Sequence, residues 1–137
     1  MWEIGRHGRV VLGRIVSFDD DADAERYCEE WRRRAAEVDG RFVVCADYRR
    51  APVFSPAAAE SIKQLMAQLG ERVERSAILI DPAHATHAMQ VSRLAREAGH
   101  EARRRFAEVE TLLGWLDDVC TIDERHAVRG FLSAAPG

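Results

Sequence analysis

Lysine is almost missing from this chain: Lys63 is the single one, against nineteen arginines in 137 residues. Abundant alanine accompanies that bias, and together they mark a GC-rich coding sequence and carry no function by themselves. Cysteine is scarce as well. Cys28, Cys45 and Cys120 are far apart, odd in number and without a C-x-x-C, which argues against a disulfide framework or a zinc site and fits buried thiols in a reducing compartment. No apolar run approaches 18 residues and no charged-then-apolar leader opens at Met1, so no membrane span or secretion is expected and the expected location is the cytoplasm. A basic excess is lacking too: 20 basic and 23 acidic residues leave a net charge of −3, unlike a general nucleic-acid binder. Neither G-x-G-x-x-G, a P-loop nor G-x-S-x-G occurs, and no cofactor is expected.

What is present is a regular alternation of patterns. Residues 9 to 18, RVVLGRIVSF, place Val10, Leu12, Val16 and Phe18 on one parity and Val11 and Ile15 on the other, the mark of a strand apolar on both faces. A short strand around Trp2 to Arg6, turned by Gly5 to Gly8, makes the opening a hairpin. In the next segment Asp19 to Asp21 offer helix caps, and Ala24, Tyr27, Cys28, Trp31, Ala35 and Val38 recur at helical spacing up to Asp39-Gly40. FVVCAD, 42 to 47, reads as a central strand. Pro56 to Leu69 is a helix with Ile62, Leu65, Met66 and Leu69 on one stripe. SAILID, 76 to 81, is a buried strand, followed by a helix from Pro82 to Gly99.

HEARRRF, 100 to 106, is a strand that three consecutive arginines assign to a sheet edge. A last helix runs from Val109 to Val119, and residues 121 to 137 read as a polar tail of weak helical character. The order β-β-α-β-α-β-α-β-α predicts an α/β fold: one domain over 1–120, with a mixed, mostly parallel sheet opened by a β-hairpin and covered by helices.

Candidate chemistry is thin. Asp19, Asp20 and Asp47 at strand ends suggest a Mg²⁺ pocket of the receiver type, but one helix, instead of a full helix-strand-helix, separates Asp20 from Asp47, and Lys63 is mid-helix. Capping is the better reading. DPAHATH sets His84 and His87 one turn apart beside Asp81 with no further ligand, so no metal is expected. Ser55, Ser61, Ser76 and Cys45 have no placeable catalytic partners, and no enzyme is expected. Arg49-Arg50 and Arg103 to Arg105 would form an anion-binding surface if those segments met, although solvated arginines are the favoured reading. Tyr27 and Trp31 read as core, with an exposed docking stripe as the alternative.

The stretch "RSAILIDPAHATHAMQVSRLAREAGHEARRRFAEVETLLGWL" gives a buried strand, a helix, a short Gly-led strand and a helix ending in apolar-Trp-Leu. In this, and in element order over residues 2 to 119, the chain resembles the STAS-like proteins, the anti-sigma-factor-antagonist group, in the sporulation-stage-II-AA-like branch that is compared with lipid-binding CRAL-TRIO domains. In phosphorylatable members of that family a strand ends in Asp, and acid-Ser-Ser-Gly opens the next helix, where a kinase modifies serine. With Asp47 laid on that Asp, Ser55-Pro56-Ala57-Ala58 falls on the motif. Both family serines are replaced, and Ser55, at the acid's place, reads as a helix cap.

The resemblance implies a non-enzymatic bacterial protein acting through a protein partner, with Asp47, Arg49, Arg50, Ser55 and Ser61 as the candidate contact. A homodimer is compatible with it. The alternative is a lipid or small apolar ligand held between helices and sheet. An exposed apolar patch beside the junction favours the first, and an enclosed cavity of several hundred Å³ the second.

Overall fold

The computed structural model describes residues 1–99 and 102–134. Two antiparallel strands, β1 (Trp2–His7) and β2 (Val10–Ile15), form the opening hairpin. Its turn passes through Gly8 at φ +59, where a Cβ would also come within 2.4 Å of the Glu124 carboxylate, so only glycine fits. Then α1 (Asp21–Ala36) leads to β3 (Phe42–Asp47), α2 (Pro56–Leu69) to β4 (Val73–Leu79), and α3 (Ala85–Ala98) to β5 (Arg103–Phe106). The chain closes with α4 (Val109–Leu116) and α5 (Ile122–Ser133).

The five strands lie in the order β1-β2-β3-β4-β5, antiparallel only at β1–β2. Each crossover therefore steps one strand in the same direction. Right-handed crossovers then place α1, α2 and α3 together on one face. Strand parity decides what each face receives. Val11 and Ile15, Val44 and Ala46, and Ile78 meet the crossover helices through Tyr27, Trp31, Ile62, Leu65, Val91 and Leu94. On the other face, Val10, Leu12, Val43, Cys45, Ala77 and Leu79 meet Leu112, Leu113 and Leu116 of α4 and Val128 and Leu132 of α5. A two-faced sheet needs both covers, because strands apolar on both parities would otherwise leave one face in water.

Local signals account for the helix ends. Asp20 accepts from the Asp23 amide at the start of α1, Ser55 from the Ala58 amide at the start of α2, and Thr121 forms a capping box with Glu124 at the start of α5. Gly99, at φ +67, ends α3.

Three sequence expectations are corrected. The helix expected from Pro82 begins at Ala85, because the Asp81 side chain accepts from the Ala83 amide at 2.9 Å and its carbonyl accepts from the His84 amide at 3.0 Å, which holds 81–84 in a turn. The strand expected over 9 to 18 ends at Ile15, after which the Val16 and Ser17 amides donate to the Met1 carbonyl. The polar tail is a packed helix, since Val128 and Leu132 of α5 are fully or nearly fully buried against β2 and β3. Of the strand expected over 100 to 106, residues 103 to 106 pair with β4 at the sheet edge, and residues 100 and 101 lie outside the described residues, as do 135 to 137 of the tail.

Candidate functional site

Parallel strands deliver their carboxyl ends to one edge of the molecule, and the β3–α2 and β4–α3 loops meet there. The segment from Asp47 to Ser55 is the junction that sequence reasoning selected. Its five candidate residues have separate fates.

Asp47 is 1% exposed and faces inward. Arg14, its register partner on β2 and itself 3% exposed, donates Nε to Asp47 Oδ2 at 3.1 Å. Arg49 turns back over the same carboxylate, donating Nε to Oδ1 at 2.9 Å and Nη2 to Oδ2 at 2.8 Å. Both guanidiniums then continue to the end of α5, Arg14 to the Phe131 carbonyl and Arg49 to the Leu132 carbonyl, the latter at 2.7 Å. Arg14 also lies over the Phe131 ring, 4.2 Å from its centroid, and pairs with Glu3 at its outer side. Cations set against the last carbonyls of a helix satisfy groups that have no partner within it. Burial pushes the Asp47 carboxyl up, but the Arg49 side chain and amide and then Arg14 outweigh that and leave it below the usual carboxylate range. Arg49, whose side chain is still 29% exposed, thus also serves as a strut between β3 and α5.

Ser55 and Ser61 are also engaged within the chain. Ser55 Oγ donates to Asp21 Oδ1 at 2.6 Å while capping α2, and Ser61 donates to Glu25. Arg50 is exposed and, unlike the other four, its side chain makes neither a hydrogen bond nor an ion pair among the described residues.

Around Arg50 the surface is concave on two sides. An open groove of about 700 Å³ runs along α3, lined by Val53, Thr86, Met89, Gln90, Arg93 and Arg96 among others. Val53 is 53% exposed and Met89 72%, an apolar pair in a rim of cations. Beside it, a hollow of about 470 Å³ lies between Arg50–Val53 and Ala83–His87, lined on one side by the first turn of α3. Gln90 fixes the loop that divides them, accepting from the Phe54 amide at 2.8 Å and donating to its carbonyl at 3.0 Å.

His84 and His87, paired in sequence, separate in space. His84 is exposed, whereas His87 is 3% exposed, with Phe54 and Tyr48 edge-on to its ring at 5.1 and 6.5 Å between centroids. Among the described residues neither His87 ring nitrogen makes a side-chain hydrogen bond of full geometry. Burial pulls its pKa below the ordinary imidazole value; the Tyr48 backbone opposes this, and His84 adds to it. Among the described residues no group of three or more histidine, cysteine or acidic side chains is arranged to hold a metal ion.

The interior between helices and sheet contains a cavity of about 30 Å³, lined by Trp31, Tyr48, Leu65, Met66, Ser76 and Arg103 among others. That is room for about one water. Trp31 Nε1 and Arg103 Nε are buried without partners among the described residues, so polar demand exists there on a very small scale. Trp31 is 2% exposed, and Tyr27 donates to or accepts from the Tyr48 hydroxyl at 3.1 Å, which makes this aromatic pair core and no docking stripe.

Sequence reasoning missed two things here, Arg14 and α5. A lone arginine in VVLGRI, between apolar neighbours on a strand buried on both faces, was the available signal, because a buried cation demands a buried acid. No helix is long and apolar enough to cross a membrane among the described residues. In comparison with known families and curated proteins, the chain matches no family model and no curated sequence.

Proposed function

We propose that this chain is a non-enzymatic, STAS-like binding domain whose protein partner docks on the β3–α2 junction and the adjoining face of α3. The observation that carries this reading is the pairing of exposed Val53 with exposed Met89 in one groove beside Arg50. Arg93 and Arg96 extend the cationic rim, so the matching partner is a segment with apolar side chains on one face and acidic residues flanking them. The interior cavity gives the lipid reading little support, because about 30 Å³ admits no acyl chain unless α2 moves off the sheet.

The junction would act without the family's phosphoserine switch. Pro56 and Ala57 have no hydroxyl, and the Ser55 hydroxyl already serves as a cap beside the Asp21 carboxylate, where a phosphate would meet like charge. Partner capture with Val53→Glu/Met89→Glu bait, beside wild type and an α4 surface variant Glu110→Gln, tests the reading. Loss of the wild-type partner from the first variant only is the expected result. Equal retention by all three would move the interface elsewhere.

A further inference from the structure

β5 ends the sheet, and among the described residues no strand lies beyond it. Its ladder fixes which backbone groups face outward. The Ser76 amide donates to the Ala102 carbonyl and the Ile80 amide to the Phe106 carbonyl, both at 2.9 Å, so residues 102, 104 and 106 turn towards β4. The amides and carbonyls of Arg103 and Arg105 therefore point away from the sheet, as the donors and acceptors of an open edge. Cations stand on both faces of that edge. On the face of the crossover helices, Arg103 donates to the Met66 carbonyl at 2.9 Å and Arg105 donates to Ser92. On the other face Arg104 lies over the Trp115 ring, 5.0 Å from its centroid. Arg104 and Arg105 are exposed, and none of the three arginines pairs with a carboxylate among the described residues.

We infer that this edge is a strand-addition site for an extended acidic segment of a protein partner, which pairs with Arg103 and Arg105 as a sixth strand. Each of these two residues offers one donor and one acceptor, and in such pairing the main chain supplies affinity while side chains supply choice. A second copy of β5 is the wrong occupant, because antiparallel pairing would set arginine against arginine on both faces. Carboxylates at successive positions of the added strand meet Arg105 on one face and Arg104 on the other. The charge is local to this edge, since the whole chain carries a net −3. The edge uses none of Arg50, Val53 and Met89, so either docking surface stands if the other fails.

The experiment follows amide exchange and chemical shifts of the ¹⁵N-labelled full chain with the acetylated, amidated peptide Thr-Val-Asp-Glu-Val-Thr at low salt. In the free chain the Arg103 and Arg105 amides should exchange fast, while those of Arg104 and Phe106 are protected. Saturating peptide should protect Arg103 and Arg105 as well. A copy N-methylated at every residue keeps both carboxylates but cannot form the ladder, and it should not bind. Arg104→Gln/Arg105→Gln should weaken the peptide roughly three- to tenfold, whereas Val53→Glu/Met89→Glu should leave it unchanged. Absence of saturable binding, equal binding of the N-methylated copy, or Arg103 and Arg105 amides that stay unprotected would overturn the inference.

Discussion

Gln90 holds Phe54 as a neighbouring strand would, accepting from its amide at 2.8 Å and donating to its carbonyl at 3.0 Å. One side chain thus replaces a ladder for a loop that has none, and it positions Val53 and Arg50 against α3. Gln90→Ala leaves two partly buried backbone groups to find water, with an expected cost of roughly 1–2 kcal/mol in urea unfolding. The Ala51 to Phe54 amides should also exchange faster. Unchanged exchange there would show that the hydrophobic contacts of Phe54 hold the loop alone.

Gly13 and Trp31 are fitted to each other. A Cβ at residue 13 would lie 2.3 Å from Trp31 Cζ2, so Gly13→Ala should cost roughly 1–3 kcal/mol by overpacking. Trp31→Ala should cost roughly 3–5 kcal/mol through lost transfer energy and the cavity left behind. In the Trp31→Ala background the second substitution should be nearly neutral. Additive costs in the double mutant would contradict the contact.

Acid should release α5. The Asp47 carboxyl is held low by Arg49 and Arg14 against its burial, and the Glu124 carboxyl by the Thr121 and Arg9 amides against its own. A carboxyl depressed in the folded state contributes stability that is present above its unfolded pKa and is lost as pH falls through the folded value. The loss therefore falls below about pH 4. Asp47→Asn, which strands the buried Arg14 charge, should cost about 3 kcal/mol or more at pH 7. The gap to wild type should narrow towards pH 3. A constant gap across that range would assign the effect to shape and not to charge.

The thiols should be inert in the native state. Burial pushes Cys28 up to about 12 and Cys120 up to about 11, and Cys45 is pushed up as well. Alkylation by iodoacetamide at pH 8 should be slow at all three and begin at half-buried Cys120. Rapid labelling of Cys45 would reveal opening of the central strand.

Much of the fold was legible in one dimension. FVVCAD and SAILID are apolar on both parities, a pattern that only a strand covered on two faces can satisfy, and HEARRRF has charge that only an edge tolerates. Asp20, Ser55 and Gly99 mark helix ends because capping is a matter of one side chain and its next few amides. Such interactions are local, and so sequence by itself determined the order and kind of most elements.

The site depended on contacts that sequence spacing does not encode. Arg14 and Asp47 are 33 residues apart, and Arg49 meets Leu132 across 83. Only the parallel register of β2 and β3, with α5 laid over them, ties the candidate contact residues Asp47 and Arg49 to α5 and leaves Arg50 without an ion pair among the described residues. Val53 and Met89 each read as an ordinary apolar residue in its own segment. Their exposure is decided by where the β3–α2 loop stands relative to α3, which Gln90 sets from 36 residues away. Sequence fixes which residues bury by period; tertiary structure alone decides which polar groups, like the His87 ring packed on Phe54 and Tyr48, are buried among apolar neighbours.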